Sequence, residues 1–66
     1  MSAPRVTPHT FAYACVEQNS IDELEEALAD YPVGEADSGD CASWGLTPAQ
    51  WRGDIEIALA HLRANP

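Results

Sequence analysis

The chain has no lysine. Three arginines (Arg5, Arg52 and Arg63) stand against eleven acids, for a net charge of −8 at pH 7. No arginine falls between Arg5 and Arg52, while nine of the acids lie between Glu17 and Asp40. Such a chain does not grip nucleic acid by its phosphates or settle on an anionic membrane, because both reward clustered cations. It is drawn instead to basic surfaces on other proteins. The lack of lysine also excludes a Walker-type phosphate loop, and neither G-x-G-x-x-G nor G-x-S-x-G occurs. No apolar run approaches the ~18 residues of a membrane helix, and no basic-then-apolar leader is present. Without a leader, the two cysteines, Cys15 and Cys41, are expected to stay reduced in a bacterial cytoplasm. The 66 residues allow one domain, 1–66, with a small core.

Metal and catalytic patterns are missing too. His9, Cys15, Cys41 and His61 are the soft ligands, and their spacing lacks the close pairing of structural zinc sites. Glu35, Asp37 and Asp40 lie in GEADSGDCASWG, which fails the alternating ligands and terminal glutamate of a calcium loop. A fold this small offers little room for a water-excluding pocket around a Cys–His pair. No enzyme activity, cofactor or metal is therefore expected.

What is present is a set of helix signals. In WGLTPAQWRGDIEIALAHLR (44–63), Thr47 can cap a helix with Pro48 at its first position. Gln50 completes a capping box, and Leu46 with Trp51 makes a hydrophobic staple. Trp51, Ile55, Ala58, Leu59 and Leu62 then recur on one face. A second stripe of Gly53, Ile57, Ala60 and Ala64 fits either a central helix or a self-association face. VTPHTF (6–11) repeats the logic of LTPAQW, predicting a first helix capped by Thr7, although Phe11, Tyr13 and Cys15 also alternate as in a strand. Ser20 and Glu23 form a second capping box, with Ile21, Leu24, Ala27, Leu28 and Tyr31 on one face and Asp22, Glu23, Glu25, Glu26 and Asp30 on the other. The expected fold is all-α: a small three-helix bundle with helices at about 8–18, 20–31 and 48–64. A long acidic loop at about 33–46 separates helices 2 and 3. The expected core is Phe11, Cys15, Leu24, Leu28, Tyr31, Trp44, Trp51, Ile55, Leu59 and Leu62, with Trp44 folding back to pin the loop.

The acidic strip carries the functional expectation. Five carboxylates between Asp22 and Asp30 span about 13 Å at the helical rise, one per roughly 2.7 Å, against one per about 1.7 Å of duplex DNA. This small, lysine-free chain with its IDELEEALAD strip resembles the phage-encoded anti-CRISPR proteins, several of which occupy the DNA groove of an RNA-guided complex by imitating DNA's charge. The resemblance implies an acidic inhibitor acting in the cytoplasm of a bacterial host. Its basic partner would be a nucleic-acid-binding protein, such as a subunit of a type I Cascade complex, with no direct nucleic acid or membrane contact. Glu23, Glu25, Glu26, Asp30, Asp37 and Asp40 are the expected partner-binding residues. The alternative is a helical adaptor or antitoxin-like module that binds through apolar faces, with Ile57, Ala60 and Trp44 at the contact. A homodimer through Gly53, Ile57 and Ala60 belongs to the same reading.

Overall fold

A computed structural model describes residues 6–65. Four helices occur in it, α1 (Phe11–Gln18), α2 (Ile21–Asp30), α3 (Ser38–Trp44) and α4 (Pro48–Ala64), and no strand is found among the described residues. The all-α expectation holds. The three-helix arrangement does not, because the expected acidic loop contains α3.

The longest helix, α4, starts as its sequence dictates. Thr47 Oγ1 accepts from Gln50 N at 3.2 Å, and Gln50 Oε1 accepts from Thr47 N at 2.9 Å. Trp51, Ile55, Ala58 and Leu59 are buried along one side. Each large side chain buried there contributes roughly 2–3 kcal/mol. The other three helices all pack on α4, α1 and α2 most extensively. Its central place accounts for much of the second apolar stripe, since Gly53, Ile57 and Ala60 are half-buried.

The first helix begins three residues later than the sequence suggests. Thr10, not Thr7, is its cap: Thr10 Oγ1 accepts from Tyr13 N at 3.2 Å and donates to the Thr7 carbonyl at 2.7 Å. That second bond closes a turn over residues 7–10, in which His9 takes a left-handed φ of 69°. Histidine is among the side chains that tolerate this region best. Starting at Phe11 lets Phe11, Ala12 and Cys15 reach the core. The strand alternative for this segment falls away.

The second helix has the expected Ser20–Glu23 capping box, with bonds of 3.2 and 2.8 Å. Its C-terminal end is closed from outside. Arg52 on α4 donates to the Leu28 carbonyl at 3.2 Å and to the Tyr31 carbonyl. The guanidinium thus meets orphan carbonyls at the negative end of the helix dipole, where Asp30 alone is unfavourable.

Asp37 starts α3 by accepting from Asp40 N at 3.0 Å. Gly45 ends it at a left-handed φ of 66°, a position that suits glycine, and Leu46 N closes onto the Cys41 carbonyl at 3.0 Å.

The core is Phe11, Cys15, Leu24, Trp51, Ile55, Ala58 and Leu59, with Leu28, Tyr31 and Leu62 half-buried against it. Aromatic rings tie it together: Tyr31 meets Trp51 edge-on at 5.3 Å, and Phe11 stacks on Trp51 at 6.5 Å. Trp44 departs from expectation. Its ring lies 5.8 Å from Phe11, yet the residue remains 42% exposed. The pin between α3 and the core is instead Trp51, whose indole N–H donates to Asp40 at 3.0 Å.

Candidate functional site

The six acids expected to meet a partner divide into two groups by what they do in the fold. Asp37 and Asp40 are half-buried and structural. Besides capping α3, Asp37 accepts from the Tyr31 hydroxyl at 3.3 Å. The Asp40 amide and the Tyr31 hydroxyl hold its carboxyl below the usual carboxylate range, against the opposing effect of burial. Asp40 satisfies the Trp51 indole, which would otherwise lie unpaired in the core. Asp37, Asp30 and Asp40 surround the Tyr31 phenol closely enough that their charge, with burial and the Asp37 hydrogen bond, raises its pKa. Turning outward would cost Asp37 its cap on α3 and Asp40 its bond to Trp51.

The four α2 acids are exposed. Glu23 is turned back onto the Ser20 N–H. Glu25 pairs with Arg63 from the end of α4 at 2.5 Å. Glu26 and Asp30 have no partner among the described residues and continue a row that begins at Asp22. Asp22, Glu26 and Asp30 stand one turn apart on a single exposed face, at about 6 Å of rise per step. Sequence counting overstated the strip's net charge. With Arg52 at its carbonyl end and Arg63 on Glu25, α2 presents one net charge per ~4.5 Å, under half the density of duplex DNA.

Two clefts flank Trp44. One, of about 270 Å³, is lined by Phe11, Cys15, Glu23, Asp40, Trp44 and Trp51 among others. The second is a wider groove of about 610 Å³ past His9, Tyr13, Glu17 and Trp44. Neither was visible as such in the sequence, where Trp44 reads as core and Tyr13 figures only in a strand-like alternation. Cys15 opens toward the first cleft but is only 3% exposed. Burial first, then the charges of Asp40 and Asp54, push its thiol up to about 11, which keeps it protonated and poorly nucleophilic at neutral pH. Cys15 and Cys41 are free thiols.

No family model matches the chain, and no curated protein or solved structure shows significant similarity to it. No helix among the described residues is long and apolar enough to cross a membrane.

Proposed function

We propose that this chain is an acidic inhibitor that binds, through the outer face of α2, to a basic protein surface that otherwise holds nucleic acid. The observation that carries the reading is the row Asp22, Glu26 and Asp30. These carboxylates are exposed and have no partner among the described residues, while Arg52 and Arg63 are both drawn to the edges of the same helix. Glu23 and Glu25 border the row, and Asp37 and Asp40 add to its field without touching the partner. Exposed charges of one sign steer a basic partner and are screened within ~8–10 Å at physiological salt. The likeness to anti-CRISPR proteins makes the DNA groove of a type I Cascade complex the first target to test, in the cytoplasm of a bacterial host.

Purified Cascade should lose duplex-DNA binding as the protein is added, with an end point at a fixed stoichiometry. Raising salt from about 50 to about 200 mM should weaken the inhibitor tenfold or more. Glu26→Lys combined with Asp30→Lys should abolish inhibition while leaving the fold intact, because neither side chain has a bond to another of the described residues. Inhibition that survives both changes would remove the charge-based reading. It would favour the apolar alternative, for which the exposed Trp44 is the supporting observation, and Ile57→Asp would then be the damaging substitution.

A further inference from the structure

Among the described residues, Tyr13, Trp44 and Val33 are the large apolar side chains left exposed, and the two aromatics line the same groove. Glu17 lies one turn beyond Tyr13 on α1 and lines it too. The Glu17 carboxylate is near enough to raise the pKa of the Tyr13 phenol. Among the described residues no arginine lines this groove or its neighbour. Two aromatic rings and a carboxylate border this space, with His9 at its edge. Aromatic faces attract cations, and a carboxylate accepts their hydrogen bonds. Arginine satisfies both through one flat group, whereas an ammonium is a compact, strongly hydrated point charge.

We propose that this groove receives an arginine side chain from the basic partner, its guanidinium stacked on the Trp44 indole and hydrogen-bonded to Glu17. The inference rests on the reading that the partner is a basic protein, and it gives that reading a point of specificity. The α2 face supplies long-range attraction, which any basic surface would feel. The groove selects a partner that also projects an arginine. The aromatic exposure is then functional: Trp44 is 42% accessible because its uncovered face is a contact surface.

The test is an NMR titration with the blocked tripeptide Gly-Arg-Gly and with its citrulline analogue, which keeps the shape and loses the charge. Trp44 and Trp51 report separately, since the Trp51 indole N–H is held by Asp40 in the core. The arginine peptide should move the Trp44 indole and Glu17 signals, leave those of Glu26 and Asp30 in place, and bind at least about threefold more tightly than the citrulline peptide. Glu17→Gln and Trp44→Leu should each weaken binding by about three- to tenfold. Glu17 is exposed, so its variant keeps the fold even if the tryptophan variant is unstable. Equal binding of the two peptides, or shifts confined to α2, or an unaffected Glu17→Gln, would overturn the proposal. The outcome is separable from that of the α2 reading, because the single-arginine probe reports the groove and the Glu26→Lys, Asp30→Lys variant reports the acidic face.

Discussion

Replacing Arg52 by methionine should destabilise the fold by about 2–3 kcal/mol. Methionine keeps much of the aliphatic stem, so the change isolates the guanidinium. That group donates to the Leu28 and Tyr31 carbonyls at the end of α2. Hydrogen bonds involving a charged group are worth roughly 1.5–3 kcal/mol each, and a cation at a helix C-terminus adds about 0.3–1 kcal/mol. Arg52 is only half-buried, so water competes for both bonds and the expected loss falls below their simple sum, at about 2–3 kcal/mol. A 66-residue domain has only about 3–10 kcal/mol of total stability. The loss should lower Tm by about 10–20 °C, read by far-UV circular dichroism and tryptophan fluorescence. Arg52→Lys keeps the charge without the two-pronged geometry and should recover less than half of the loss. A salt series separates the contributions, since the dipole effect is screened and the direct hydrogen bonds are not. If Arg52→Met melted within about 2 °C of the parent, the bridge between α4 and α2 would contribute nothing, and the stability of α2 would need another source.

Alkaline stability should depend on Cys15. Its thiol stays protonated in the folded chain up to about 11, whereas the unfolded chain releases that proton near its ordinary value of 9.0. Between these values the native state holds more protons, so stability is full below about pH 9 and falls as pH rises toward 11, by about 2 kcal/mol. Melting curves at the two ends should show a smaller difference in Cys15→Ala than in the parent; an unchanged difference would assign the effect elsewhere, for instance to Tyr31. Gly53 sits inside α4 with open space where a Cβ would go. Gly53→Ala should therefore raise stability by about 0.5–1 kcal/mol in urea denaturation. A loss that grows with protein concentration would instead reveal a close helix contact in a homodimer through Gly53, Ile57 and Ala60.

The parts of this fold legible in the sequence are those decided by neighbours three or four residues apart. The Ser20–Glu23 and Thr47–Gln50 boxes are written in adjacent residues and occur as read. The start of α1 was misplaced, since Thr7 reads as the cap and Thr10 takes that role. The choice is made by α4, which accepts Phe11, Ala12 and Cys15 from a helix beginning at Phe11. The seven residues of α3 are too few for a periodic pattern, although Asp37, Asp40 and Gly45 carried its terminal signals. For the candidate site, the acids were visible but their commitments were not. Asp40 binds Trp51 eleven residues away, and Arg63 reaches Glu25 across 38 residues. Bonds of that span depend on packing, which residue counting does not contain.

The dependence of α1 and α2 on α4 also bears on how the chain is made. Synthesis runs from the N-terminus, and α4 is the last of the four helices to leave the ribosome. Until it does, the apolar faces around Phe11, Cys15 and Leu24 have no surface to cover them, and the short α1 and α2 are below the ~12–15 residues at which isolated helices hold in water. Folding is thus held back until nearly the whole segment has emerged, and a nascent chain stalled before Trp51 would present a sticky, unfolded segment to chaperones and proteases.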